Sequence, residues 1–250
     1  MSEHIRVAVA EGVCTVTISR PEKKNSLTRA MYAALAGAVE MAAGSDAVRA
    51  LLLTGAGEVF CAGNDIGEFR DRSAPAPDAP PPSRRFYTGL ADFPKPVVAA
   101  VPGLAIGIGC TMLMHADIIY AAPEARFRLP FVDLGVVPEL GSSLLLPMLA
   151  GRHRAAELML LGEFFGAEEA REIGLVNRVM PRAELLPNAQ ATAAALARKP
   201  QESLRRTKAL LRGDMAALHA RMAEELVVFD RLLASPETQA IMAGVLKPKR

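Results

Sequence analysis

Residues 5–10 and 13–19 alternate apolar and polar side chains on either side of Glu11-Gly12, and this pattern predicts a β-hairpin that opens the chain. The period then changes. From Leu27 to Ala43, Met31, Leu35, Ala38, Val39 and Ala42 recur at helical spacing, and Val48 to Thr54 reads as a buried strand ended by turn residues from Gly55 to Gly57. Residues 73–83, SAPAPDAPPPS, cannot continue a helix and predict an extended loop with no regular element. A second unit follows: a strand at Val97 to Val101, a Gly-rich turn, a helix from about Ile108 to His115 and a strand from Asp117 to Ala121. Beyond that the pattern predicts helices at 142–150, 152–161, 167–173, 183–198, 201–212, 214–233 and 236–246. Strands come first and helices last. The layout is that of an α/β core over residues 1–195 with a helical C-terminal region, 196–250, available for subunit contacts.

Composition narrows the class. With 250 residues, 51% of them hydrophobic and 22% charged, the chain can bury one large domain and is not a string of small modules. Its 29 Lys+Arg against 27 Asp+Glu are scattered rather than gathered into a stripe, so nucleic acid is a poor partner. Cys14, Cys61 and Cys110 stand far apart, and His4, His115, His153 and His219 lack metal-ligand spacing, so neither disulfides nor a metal site are expected. The start MSEHIRVAVAEG carries no basic-then-apolar signal pattern and LKPKR is not a peroxisomal address, so the expected location is the cytoplasm. Val97 to Met114 has the length of a membrane span, but it contains Pro102, Gly103, Gly107 and Gly109 and leads into His115 and Asp117. A buried strand, turn and helix fit it better, and no membrane partner is expected.

Two segments carry candidate chemistry. Residues 55–69, GAGEVFCAGNDIGEF, and 102–110, PGLAIGIGC, each leave a strand and enter a helix, so the amides near Gly63 and Asn64 and that of Ile108 are not all used by a ladder. Such amides can bind an oxygen anion near a positive helix end, and ordinary turns or close helix packing would use the same glycines. The spacing GxxxGxG of Gly103, Gly107 and Gly109 is not the dinucleotide pattern GxGxxG.

These two segments, together with RPEKKNSL at 20–27, FCAGND at 60–65, PVVAAVPGLAIGIGC at 96–110, ADIIYA at 116–121 and GLVNRV at 174–179, resemble the crotonase, or enoyl-CoA hydratase/isomerase, superfamily over nearly the whole chain. The resemblance implies an α/β spiral of β-β-α units with a helical C-terminal region, assembled as a homotrimer or homohexamer. It implies an acyl-CoA thioester substrate, with coenzyme A entering as part of that substrate and no separate cofactor. Its two carbonyl-polarising amides match Asn64 and Ile108, and Lys24, Ala62, Gly63, Asp65, Ile66, Gly107 and Phe131 fall where the family meets its substrate. Removing a proton beside a thioester places charge on the carbonyl oxygen, and each preorganised donor can stabilise it by about 3 kcal/mol.

A carboxylate must then take the proton, helped by burial. Hydratases of the family use two glutamates, and the matching positions here are Thr111 and Phe131, neither of which can act on water. Within 127–147, FRLPFVDLGVVPELGSSLLLP, Glu139 stands between apolar runs after Pro138; the local pattern fits a base and fits equally well a helix that opens at Pro138 with an acid in its first turn. The sequence of this segment, combined with AGND, resembles the Δ3,Δ2-enoyl-CoA isomerase branch, which implies Glu139 as catalytic base. Asp133 is the alternative base, and Asp65 and Asp117 read as structural or ligand-positioning acids. Hydration or other enolate chemistry on CoA esters, and non-catalytic acyl-CoA binding, are the competing functions.

Overall fold

The alternation at the start of the chain folds as expected: β1 (Ile5–Ala10) and β2 (Val13–Ile18) pair antiparallel with Ala10 opposite Val13. The two turn residues between them, Glu11 and Gly12, both have positive φ, 50° and 78°, the backbone that matches the twist of a tight hairpin. The computed structural model describes residues 2–70 and 80–245. Helix α1 (Arg29–Gly44) starts where Thr28 accepts a hydrogen bond from the Met31 amide at 3.2 Å, and it buries Met31, Tyr32, Leu35, Val39 and Ala42.

The middle of the chain repeats one move. It runs β3 (Ala50–Gly55), β4 (Val59–Cys61), α2 (Ile66–Arg70), α3 (Pro82–Ala91), β5 (Val97–Val101), β6 (Leu104–Ile106), α4 (Ile108–Thr111), a 3-10 turn at Met112–His115, β7 (Ile118–Ala121) and β8 (Arg126–Arg128). In each of the pairs β3/β4, β5/β6 and β7/β8 the first strand joins one sheet and the second joins another. The corners are tight. A Cβ on Gly103 would lie 1.9 Å from the Glu58 carbonyl oxygen, and one on Gly55 would lie 2.2 Å from that of Val59. After β8 come α5 (Ser142–Ala150), α6 (Arg152–Leu161), β9 (Phe165–Gly166), α7 (Ala167–Glu172), β10 (Arg178–Val179), α8 (Arg182–Ala197), α9 (Gln201–Arg212), α10 (Met215–Leu233) and α11 (Pro236–Val245). The large sheet has the order β1-β2-β3-β5-β7-β10, parallel except for the first hairpin, and the small one the order β4-β6-β8-β9. This is the expected crotonase-like α/β spiral with its helical C-terminal region.

The large sheet is covered on both sides, which is why its strands read as apolar runs. Leu51, Leu53, Val97 and Ala99 face the main core, while Ala50, Leu52, Val98 and Ala100 face the stripe Leu185, Ala189, Ala193 and Ala197 of α8. The division at residues 195 and 196 therefore falls inside a helix packed on the sheet, and Phe229, Leu233 and Met242 of the last two helices belong to the main core.

Several elements differ from the pattern-based expectation. β4, β6, β8, β9 and β10 span two or three residues each, too few for alternation to show. α3 replaces the end of the expected loop, because Pro81 and Pro82 sit at its entry, where a missing N–H costs nothing; residues 73–79 of that loop lie outside the described residues. The expected helix at 108–115 splits into α4 and the 3-10 turn. Residue 246 of the last expected helix also lies outside the described residues. Among the described residues no helix is long and apolar enough to cross a membrane.

His115, at the end of the 3-10 turn, is buried and donates from Nε2 to the Leu140 carbonyl at 2.8 Å. Burial pushes its imidazole down to about 4. Below the ordinary value of 6.5 the unfolded chain takes up a proton that the folded chain refuses, so stability falls as pH drops from 6.5 towards 4, by up to about 1.4 kcal/mol per pH unit. Urea midpoints measured across that range are expected to fall more steeply for the native protein than for His115→Asn; equal slopes would remove His115 from the acid sensitivity.

Candidate active site

The parallel pairing of β4 with β6 puts Cys61 opposite Ala105, and Asn64 and Ile108 each stand three residues further on. The two exits run in backbone contact. A Cβ on Gly109 would lie 2.2 Å from the Cys61 carbonyl oxygen, and one on Gly63 would lie 3.0 Å from that of Ile106. Leu27 bridges the first exit: its amide donates to Gly63 O at 2.8 Å and its carbonyl accepts from Asp65 N at 2.9 Å, which leaves the intervening Asn64 N–H outside the ladder. On the second exit, Gly107 N donates to Arg128 O at 2.9 Å, and Ile108 is the first residue of α4, whose amide has no carbonyl four residues back. Two segments in backbone contact thus each carry one such amide.

A cavity of about 760 Å³ opens between α1, α3, α10 and the loop before α5. Asn64, Asp65, Tyr32, Tyr87, Glu139 and Phe229 are among its walls. Glu139 is 7% exposed. The helix that Pro138 could have opened begins instead at Ser142, so Glu139 sits in a loop whose carbonyl accepts from Ser142 N at 3.1 Å and Ser142 Oγ at 2.7 Å. The next two residues, Leu140 and Gly141, are both left-handed with φ of 61° and 70°. For Leu140 that backbone costs roughly 1–2 kcal/mol, and it turns the chain directly after the carboxylate.

Two tyrosine hydrogen bonds hold the two halves of the site. Tyr87 donates its hydroxyl to Glu139 Oε2 at 2.6 Å; Tyr32 donates to Asn64 Oδ1 at 2.6 Å; and the two hydroxyl oxygens are 3.4 Å apart. Burial first, and then the neighbouring Glu139 charge, push the Tyr87 phenol well above its usual value, so it keeps its proton and stays a donor. The sequence pattern did not single out either tyrosine. Tyr32 is adjacent to Met31 on a helix read as plain core, and Tyr87 lies on α3, where no helix was expected. Three tyrosines occur in the whole chain, and two of them meet here.

The remaining candidates are placed as follows. Asp65 accepts from Arg20 Nη1 at 2.7 Å and from Gly67 N at 3.1 Å; burial opposes its charge, but the Arg20 hydrogen bond and charge outweigh this and hold the carboxyl below its usual range. Ala62, Gly63 and Gly107 form the backbone of the two exits, and Ile66 begins α2 half-buried against the core. Lys24 is exposed, and its carbonyl accepts from Ala62 N at 3.0 Å. Phe131 and Thr111 are buried in the interior, and Thr111 Oγ1 has no hydrogen-bond partner among the described residues. Asp133 is an exposed ion-pair partner of Arg128 at 2.7 Å, and Asp117 is tied to Val97 N and Lys208 at 2.7 Å each; neither lines the cavity. Among the described residues no group of three or more His, Cys, Asp or Glu could hold a metal ion.

Similarity to known proteins agrees with this geometry. The family model described as enoyl-CoA hydratase/isomerase matches residues 8–246. The chain is 43% identical over 205 residues to 1,2-epoxyphenylacetyl-CoA isomerase of Escherichia coli (strain K12), covering 80% of this chain and 78% of that one. It is 36% identical over 255 residues to enoyl-CoA delta isomerase 2 of Rattus norvegicus, covering 99% of this chain and 65% of the relative. Its fold matches the crystal structure of an enoyl-CoA hydratase/isomerase from Pseudoalteromonas atlantica T6c with a TM-score of 0.93 and 39% identity, covering 99% of this chain and 98% of the other. The two-sheet spiral, the paired amides at Asn64 and Ile108 and a match over nearly the full length lead to one conclusion: this protein is a member of the enoyl-CoA hydratase/isomerase family.

Proposed function

We propose that the protein moves the double bond of a 3-enoyl-CoA thioester to the 2-position, with Glu139 as the one acid–base group. The observation that carries this reading is the buried Glu139 carboxylate, held by Tyr87 on the wall of the cavity that also receives the Asn64 loop. Other carboxylates on that wall are engaged in structure: Asp65 with Arg20, Asp230 with Arg84, and Glu225 with the loop before α5.

In this mechanism the thioester oxygen accepts from the Asn64 and Ile108 amides. Glu139 removes a proton from C2, the C2–H electron pair moves into a dienolate, and charge gathers on the oxygen where the amides stand. The same carboxyl group, now protonated, returns its proton to C4, and the C3–C4 double bond becomes a C2–C3 double bond. No water takes part. Tyr87 donates to one carboxylate oxygen and fixes the other towards the acyl chain, while Leu140, Met222, Leu226 and Phe229 line an apolar wall. The backbone of Ala62, Gly63 and Gly107 lets the thioester approach, Asp65 and Ile66 border it, and Lys24 is the exposed cation available to the phosphates of coenzyme A. Subunits pack through the C-terminal helices as a homotrimer or homohexamer.

Hydration is the weaker reading, although relatives named as hydratases exist at 32–39% identity. The two positions that would need carboxylates hold Thr111 and Phe131, both buried. A second isomerisation, of an epoxide carried on an acyl-CoA, is favoured by the 43% identity to the Escherichia coli relative.

Glu139→Gln is expected to lower kcat on a 3-enoyl-CoA by about 10³-fold or more, with acyl-CoA binding retained. Unchanged turnover would remove Glu139 from the mechanism, and tight binding with no turnover in the native protein would make it an acyl-CoA binder instead. Tyr87→Phe, which deletes one hydrogen bond to a charged group, is expected to cost about 10- to 100-fold in kcat. Native kcat in this variant would show that the phenol does not orient the base.

A further inference from the structure

Glu225 is a buried carboxylate, 5% exposed, on α10, and it meets backbone amides from a distant part of the chain. Its Oε2 accepts from Gly141 N at 2.7 Å, and its Oε1 accepts from Ser143 N at 3.0 Å and from Ser143 Oγ at 2.5 Å. These donors belong to the first turn of α5, whose own N-cap residue, Gly141, has no side chain to supply the cap. A side chain there would be strained by the left-handed φ of 70°, and a Cβ on Gly141 would crowd Leu218 Cδ1 at 2.3 Å, on the same α10 seven residues before Glu225. The cap therefore comes from another helix, across 82 and 84 residues of sequence.

The capped turn is also the one that carries the base. Leu140, left-handed and not glycine, is held on one side by His115 Nε2 bonded to its carbonyl, and Gly141, the residue after it, is held on the other side by Glu225. Glu139 is the residue before this clamp. The same α10 presents Met222, Leu226 and Phe229 to the cavity. We infer that Glu225 is a positioning residue of the acid–base site: by capping α5 from α10 it holds the Leu140–Gly141 turn, and so sets where the Glu139 carboxylate stands beneath the helix that walls the substrate. Helix α10 thereby becomes part of the catalytic apparatus and not only a cover for it. A free carboxylate suits the task because it accepts on both oxygens, whereas an amide would face one of the amide donors with its own N–H.

This inference rests on the reading of Glu139 as base, and a double-mutant cycle separates the two. Turnover of a 3-enoyl-CoA is measured for Glu225→Gln, Glu139→Gln and the pair, with melting temperature recorded for each. Glu225→Gln is expected to lower kcat roughly 10- to 100-fold, the scale of a small misplacement of a reacting group, with KM within about threefold of native. In the Glu139→Gln background the same change is expected to have no further effect on the residual rate, because the group it positions is gone. Native kcat in Glu225→Gln, or an undiminished loss in the Glu139→Gln background, would overturn the positioning role. Native kcat in Glu139→Gln would instead overturn the base on which it rests. Should Glu225→Gln not fold, Ser143→Ala removes one of the three bonds and keeps both amide contacts: a drop of about threefold in kcat at constant KM and melting temperature supports the clamp, and native kcat overturns it.

Discussion

Two amides from separate loops can serve one oxygen only if the loops are held at backbone contact, and the short parallel pairing of β4 with β6 imposes that contact. The in-register pair Cys61 and Ala105 starts both exits together, and Gly109 lets the second exit lie against the Cys61 carbonyl with no side chain between them. Every other part of the site is referred to this point. The sharp Gly55 and Gly103 corners deliver the chain from the large sheet into the small one, and the two-sided burial of the large sheet keeps those corners fixed. In the proposed mechanism such a donor pair would need no rearrangement as charge develops on the substrate oxygen.

The Glu139 carboxylate, the proposed base, is held by a different device, a set of polar contacts made across elements. Tyr87 from α3 donates to Glu139 and Tyr32 from α1 donates to Asn64, so two neighbouring phenols, their oxygens 3.4 Å apart, hold the carboxylate and the amide-bearing loop separately. His115 and Glu225 fix the turn that follows. Buried polar networks of this kind cost desolvation unless each member finds partners, and their reward is a single defined geometry. Here that geometry places the Glu139 carboxylate, an apolar wall and the Asn64 loop around one cavity.

The sequence made the frame legible where side-chain period carries information. The hairpin, α1 and the strands β3, β5 and β7 all show in the spacing of apolar residues, because each is long enough to bury a face or both faces. The glycine-bearing segments at 55–69 and 102–110 marked amides near Gly63 and Asn64 and at Ile108, since a strand that ends in a helix must leave amides outside its ladder, and the family resemblance narrowed them to Asn64 and Ile108. The small sheet was hidden because strands of two or three residues have no period. α3 was hidden behind a proline run that marks a helix start as readily as a loop. The polar groups around Glu139 were not legible at all: Tyr87, which bonds it, Tyr32, which bonds Asn64, and Glu225, which bonds the turn after it, lie 52, 107 and 86 positions away, and nothing local distinguishes them from ordinary helix residues. Contacts that depend on how helices cross appear only in three dimensions.

The central claim is that one carboxylate takes a proton from C2 and gives it back at C4 in a site closed to water. Its most direct test is conversion of a 3-enoyl-CoA by the native protein in deuterated water, with the label at each carbon of the conjugated product read by mass. The account predicts a 2-enoyl-CoA with clearly less than one deuterium at C4, because much of the returned proton is the one removed. A full solvent deuterium at C4, or a hydrated product in place of the conjugated alkene, would contradict it.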